Sequence, residues 1–441
     1  MAEPDERADR AEPAEGRLET AGRLGAAFWR LWLAAVGSRF GDSIRIAALA
    51  LLTAETTHSS IALSLVVACN YLPWLAFGLL AGALVDRVQY KNRAFLIGDL
   101  SRAVLLVLLA VLVAAHLVSV PLLIVFALLL STCQTISDSS FNSILPRIVD
   151  TSLLAKAHAR LSAGQGFMGQ LSGAPVGAAL FAAFRALPFA ADSLSFFAAA
   201  LLIGSIAVRR PGEPAAGRFS FADLIGDVRF AIGFIVRNPS CSGYAYIVGI
   251  MNLAGAGVQG TLILYVLHIL HSGPYIFGLL TAAWGGGSIT GNLLAEFLAG
   301  RIGNIPTAAL AILLQLPGYL VLFVAPDRAM AFVGMALYGL SCGLWNVASN
   351  AELMTLIPAD LLGRVSGALR LISLSAAPVG ALLAGVLIAL STARAPSAVG
   401  VAMDLCAFGL FWRLILRSYL AARPVSGRPA AARLVAEREL R

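Results

Sequence analysis

The sequence predicts an all-α membrane protein with twelve transmembrane helices in two pseudo-symmetric six-helix bundles. Three observations lead there. Of 441 residues, 59% are hydrophobic and 13% charged, with a mean hydropathy of +0.83, whereas an ordinary soluble domain carries roughly 25% charged residues. Charge-poor segments of roughly 20 residues, the length that spans a hydrocarbon core of about 30 Å, recur throughout the chain. The two halves of the chain also share sequence at equivalent positions.

Residues 1–25 alternate acidic residues, Arg, Ala and Pro, and read as a disordered cytoplasmic tail without the short apolar core of a secretory signal. Charged or Pro/Gly punctuation then divides residues 26–208 into six spans: 27–54, 61–85, 94–116, 120–142, 160–184 and 187–208. A linker follows over 209–240. Residues 241–420 hold six more spans, at 241–268, 275–300, 305–325, 329–352, 365–391 and 397–420, before a cytoplasmic tail at 421–441. An even number of spans puts both ends on one side. Thirteen Lys and Arg, among them Arg87, Arg147, Arg209, Arg301 and Arg364, fall in one set of alternate loops, against Arg185, Arg328 and Arg394 in the other. The positive-inside rule therefore makes both termini cytoplasmic.

The linker opens with Arg209-Arg210-Pro211-Gly212 and continues from Phe219 to Phe230 in an amphipathic pattern suited to a helix lying on the membrane surface. On either side of it the repeat is legible. Leu171-Ser172-Gly173-Ala174-Pro175-Val176-Gly177-Ala178-Ala179-Leu180 recurs as Leu374-Ser375-Ala376-Ala377-Pro378-Val379-Gly380-Ala381-Leu382-Leu383, eight identities in ten, in spans five and eleven. Nearly the same spacing pairs Leu79-Leu80-Ala81 with Leu293-Leu294-Ala295 and Arg87 with Arg301. Parallel repeats about an axis along the membrane normal characterise secondary transporters.

Several chemistries are set aside. The net charge of +8 is scattered between apolar runs and forms no arm or face for nucleic acid. Cys69, Cys133, Cys241, Cys342 and Cys406 lie far apart in apolar segments, with no pattern for zinc or a disulfide framework. Gly164-Gln165-Gly166-Phe167-Met168-Gly169 and Gly255-Ala256-Gly257-Val258-Gln259-Gly260 match the dinucleotide fingerprint but follow no strand, so they read as helix packing motifs. The chain contains no GxxxxGK[ST], HExxH or GxSxG, and its five histidines are dispersed. No enzyme, cofactor or metal is expected.

Between spans two and three stands Gly82-Ala83-Leu84-Val85-Asp86-Arg87-Val88-Gln89-Tyr90-Lys91-Asn92-Arg93. It resembles the signature loop of the major facilitator superfamily, and the resemblance extends over essentially the whole chain. It implies that Gly82, Asp86, Arg87, Lys91 and Arg93 form a gating loop, Asp86 docking against a helix end in one of two alternating states. A carboxylate so placed contributes a few tenths to about 2 kcal/mol, enough to bias such a balance. Gln89 and Tyr90 depart from the family's Gly-Arg, and Gly300 stands where a second Asp86 would fall. The bases would also serve a plain cytoplasmic anchor, which leaves the acid unexplained. In span five, Gly169, Gly173, Pro175 and Gly177 resemble the family's antiporter motif, associated with exporters; generic small-residue packing is the alternative.

Gly37-Ser38-Arg39-Phe40-Gly41-Asp42-Ser43-Ile44-Arg45 in span one, Gly98-Asp99-Leu100-Ser101-Arg102 in span three and Ile357-Pro358-Ala359-Asp360-Leu361-Leu362-Gly363-Arg364-Val365-Ser366 before span eleven resemble the branch of enterobactin exporters and macrolide efflux proteins. Ionisable groups at membrane depth cost several kcal/mol unless paired or wet. Asp42, with Arg39 and Arg45 one turn to either side, is a candidate for proton coupling or substrate contact, or else a structural ion pair. Asp99 and Arg102 suggest a structural or gating network. Asp138, Asp192, Glu296 and Asp404 rank lower, several being near span ends. Span four lacks the arginine common in antiporters of this superfamily. Asn70, Gln134, Asn252, Gln259, Trp345 and Asn346 are candidate cavity residues or, equally, interhelical glue.

The resemblance implies a secondary exporter, proton-coupled, for a lipophilic or bulky molecule such as a drug, siderophore or secondary metabolite. Its partners would be that small molecule, protons and the lipid bilayer of the inner cell membrane, and it would act as a monomer without nucleic acid. An importer or facilitator of the same fold is the nearest alternative, and a non-transporting membrane sensor a more distant one.

Overall fold

The computed structural model describes residues 24–77, 91–206, 221–358 and 360–416. Among them are helices and turns and no strand. The predicted tails, the start of the linker and the loop from Gly82 to Tyr90 lie outside the described residues.

Each predicted span is helical where it is described. The first half comprises α1 (Ala26–Thr56), α2 (Ser60–Cys69), which resumes after a turn through residue 77, α3 (Lys91–Ala114) and α4 (Val120–Ile148). Span five is split into α5 (Leu154–Gly166), a π-helical turn (Phe167–Ser172) and α6 (Gly173–Ala183), and α7 (Leu187–Gly204) follows. The linker carries α8 (Phe221–Arg237). Span seven bends at Thr261 between α9 (Pro239–Gly260) and α10 (Leu262–His268); then come α11 (Pro274–Ile302), α12 (Asn304–Val324), α13 (Arg328–Leu356), α14 (Leu362–Leu390) and α15 (Ala395–Phe411).

Nine helices among the described residues are long and apolar enough to cross a membrane. The other three predicted spans fall short of that measure for visible reasons: α1 carries Arg30, Arg39, Asp42 and Arg45, α5 and α6 are separated by the π turn, and α11 is rich in Gly and carries Glu296 and Arg301. Lipid accounts for what these helices leave uncovered. On α3, Ile97, Val104, Val107 and Val111 are exposed, and on α7 Leu194, Phe197 and Leu201, both sets at helical spacing. Apolar stripes of this kind on several helices require a nonaqueous surround.

Packing follows the repeat. In the first half α1 lies against α6 and α7, and α3 against α4 and α7; in the second, α9 lies against α14 and α15, and α13 against α11 and α12. The halves meet where α2 packs on α14 and α6 on α11. The linker helix α8 buries Ala231 and Ile235 in a small cluster with Cys241, Ala245, Val365 and Ala368, so one face is held by α9 and α14. Ile225, Phe230, Ile232 and Val236 remain exposed on it.

Candidate functional site

The charged residues of α1 and α3 do not remain on their own helices. Arg39, Asp42 and Arg45 recur every three residues along one face of α1, and Asp99 and Arg102 stand one turn apart on α3. Asp42 Oδ1 accepts from Arg45 Nη2 at 2.9 Å and also from Arg102 Nη2, which crosses from α3. Arg45 Nε lies 3.2 Å from Asp192 Oδ2 on α7, and Arg102 Nη1 lies 3.8 Å from Asp99 Oδ1. The Arg102 guanidinium also caps the Phe196 ring at 3.7 Å from its centroid. Arg45 and Arg102 are 1% and 2% exposed and Asp192 is fully buried, so three carboxylates and two guanidiniums form one network away from bulk water. Arg39 turns outward to Asp138 of α4 at 3.9 Å.

Small residues admit this network. A methyl group on Gly41 would collide with the Asp192 carboxylate and Ser195, and one on Gly98 with Ser137 of α4. The two glycines let α7 and α4 bring polar groups up to α1 and α3. Removing one partner of such a buried pair costs about 3–5 kcal/mol, because the other charge is left uncompensated.

Three cavities lie in this region, two of them with Asp42 in their walls. One of about 580 Å³ sits in the second half, lined by α9, α13 and α14, and includes Tyr244, Asn252, Gln259, Trp345, Asn346 and Arg370. A second, about 550 Å³, lies between the halves with Arg39, Asp42, Gln165, Gln170, Gln259 and Trp284 in its wall. A third, about 250 Å³, is bounded by Asp42, Asp99, Arg102, Ser137, Asp138 and Arg370. Gln259 and Trp284 belong to the first two, and Arg39 and Asp42 to the last two. The polar walls are held in turn: Gln259 Nε2 donates to Tyr338 Oη at 3.2 Å, Gln315 Nε2 to Tyr319 Oη at 2.9 Å, and Ser341 Oγ to Gln315 Oε1 at 3.0 Å.

The fold has counterparts among transporters. The chain superimposes on the nucleoside transporter NupG with a TM-score of 0.69 at 10% identity, covering 89% of this chain and 99% of that one. A bacterial homologue of the human lysosomal transporter Spinster, in an inward-facing and unoccupied conformation, gives 0.69 at 14% identity, over 91% and 98%. A bacterial homologue of the iron transporter ferroportin, also inward-facing, gives 0.65 at 15%, over 88% and 98%. These likenesses establish the fold. Sequence decides the family: residues 24–437 match the family model for transmembrane secretion effectors. The chain belongs to this family of major facilitator superfamily transporters.

In this chain, the glycines of span five are where its helix meets α1. A Cβ on Gly169 would come within 2.9 Å of Arg39 Cγ, one on Gly173 would collide with Ser43, and one on Gly177 would stand 2.6 Å from the Ile44 carbonyl oxygen. Ser43 Oγ donates to the Gly169 carbonyl at 2.5 Å inside the π turn. Pro175, three residues past that turn, has no N–H to return to the preceding turn. From the other side α11 closes in, its Gly278 within 2.8 Å of Pro175 Cα were a Cβ present. The repeated segment in α14 keeps Pro378 inside a continuous α-helix, so the π turn of span five has no counterpart in span eleven.

Of the residues singled out from sequence, Asp42, Arg45, Asp99 and Arg102 are brought together, whereas Arg39 pairs apart with Asp138. Asn252, Gln259, Trp345 and Asn346 line the largest of these three cavities. Asn70 instead ties helices: its side chain donates to Val66 O at 3.0 Å and its carbonyl accepts from Ser131 Oγ of α4 at 2.5 Å. Gln134 lines none of the three cavities. Gly82, Asp86 and Arg87 lie outside the described residues; Lys91 opens α3 and Arg93 lies in its first turn. Asp192, ranked low for its closeness to a helix start, is fully buried in the network, and Arg370 was not singled out at all. The available signal for both was an ionisable residue inside an apolar run.

Proposed function

We propose that this transporter is a proton-coupled exporter, moving a lipophilic or bulky small molecule out of the cell by alternating access, on the branch that resembles enterobactin exporters and macrolide efflux proteins. The observation that carries the reading is Asp42, which belongs to a buried network of three carboxylates and two guanidiniums and also stands in the wall of the cavity between the halves. One carboxylate exceeds the available bases, so the network can take up and release one proton while its arginines keep their charge. Cargo entering the adjoining cavity shifts the same pairs. Linkage then makes proton and cargo affect each other's binding equally.

The halves rock about α2–α14 and α6–α11, with the π turn of span five as the pivot beside Arg39 and Ser43. The glycine pattern of that span favours export over uptake by the same fold. Charge in the alternate loops supports an inner-membrane setting with both termini cytoplasmic, and a cavity system contained within one chain supports a working monomer.

Everted membrane vesicles acidified inside by respiration provide the test. A drug panel is added while a pH-sensitive dye reports the gradient. Cargo that accumulates and releases protons from the vesicle supports export. Cargo that enters only under the opposite gradient would establish uptake and end the proposal.

A further inference from the structure

Among the described residues lining the 580 Å³ cavity, Arg370 is the one charged side chain, and no carboxylate lines it. Arg370 is exposed into that space from α14, and its guanidinium rests 5.1 Å from the ring centroid of Trp74, a cation–π contact that positions it without neutralising it. The acids across the smaller shared cavity already have nearer cations: Asp42 has Arg45 and Arg102, Asp99 has Arg102, and Asp138 has Arg39. The remaining wall combines flat apolar surface from Tyr71, Tyr244, Trp284 and Trp345 with neutral amides such as Asn252 and Asn346.

From this we infer that the cargo is a monoanionic amphiphile: a carboxylate or sulfonate that meets Arg370, carried on an aromatic or similarly broad apolar body that lies against the ring-lined wall. The guanidinium fork suits an oxyanion in two-point contact. The volume falls within the roughly 300–1,000 Å³ of sites for drug-sized ligands. Among the described residues of this wall an organic cation would find no counter-charge, and it would face Arg370 directly. The inference rests on the transport reading only in taking this cavity, which shares Gln259 and Trp284 with the one between the halves, as part of the same cargo site.

The test uses two fluorescent probes with one body, anilinonaphthalene sulfonate, an anion, and phenylnaphthylamine, which is neutral. Binding to the full chain in nanodiscs is followed by energy transfer from tryptophan, with lipid-only discs subtracted. Arg370→Gln is expected to weaken the sulfonate by about tenfold or more and leave phenylnaphthylamine within about twofold, while Arg370→Lys keeps most of the sulfonate affinity. Sulfonate affinity unchanged in Arg370→Gln would overturn the assignment. Should that variant not fold, displacement from the unaltered protein decides: naphthalene sulfonate should displace the bound probe and naphthalene methanol should not, and equal displacement rejects the anion site. No gradient is involved, so a failure here leaves the export test untouched, and an uptake result there leaves this one standing.

Discussion

Arg45 of α1 and Asp192 of α7 face each other at 3.2 Å, both buried, with Gly41 one turn away making room for the carboxylate. The pair joins two helices 147 residues apart in sequence and links the Asp42 centre to the back of the first half.

Breaking that pair should be expensive. Arg45→Met is expected to destabilise the protein by about 3–5 kcal/mol, since Asp192 and Asp42 lose a shared partner in a buried site. Combined with Asp192→Asn the loss should be smaller than the sum of the two, by about 0.5–3 kcal/mol. Thermal unfolding of the four purified proteins in one detergent gives the cycle, and additive losses would show that the contact is not energetically coupled.

Asp42→Asn removes the charge that both arginines share while keeping the side chain's shape. Proton-driven transport should fall to background in vesicles, with the variant still present in the membrane as folded protein. Flux that still follows the pH gradient would remove Asp42 from the coupling step.

The span-five glycines should be intolerant where backbone meets backbone. Gly177→Ala places a methyl 2.6 Å from the Ile44 carbonyl oxygen and is expected to cost about 1–3 kcal/mol. Gly37→Ala, where nothing stands within 4 Å, should be neutral or slightly stabilising. Melting temperatures of the two variants, measured side by side, compare them directly.

For the proposed gate, Asp86→Asn should change turnover more than cargo affinity, because a residue that biases two states acts on their exchange and not on the cavity wall. Parallel measurement of binding in nanodiscs and transport in vesicles separates the two, and wild-type turnover in the variant would count against a gating role.

Hydropathy, loop charge and the repeated Leu-Ser-x-Ala-Pro-Val-Gly segment were enough to place the helices, because a bilayer imposes length and apolarity on each span separately. They pointed to the amphipathic helix, read over Phe219–Phe230 and found at Phe221–Arg237, for the same reason: its pattern is local. They also marked Asp42, Arg45, Asp99 and Arg102, since any charge in an apolar run stands out. Partner choice was another matter. Sequence spacing offered Asp42 both Arg39 and Arg45, its neighbours on the helix; Arg45 does pair with it, but Arg102 also arrives from α3 and Arg39 turns to Asp138. Which charges meet depends on how helices far apart in the chain are rotated and how closely glycines let them approach. The burial of Asp192 and the opening of Arg370 onto a cavity whose other described lining residues are uncharged were likewise decided by tertiary packing, because a helical residue's surroundings come from the helices beside it and not from its neighbours in sequence.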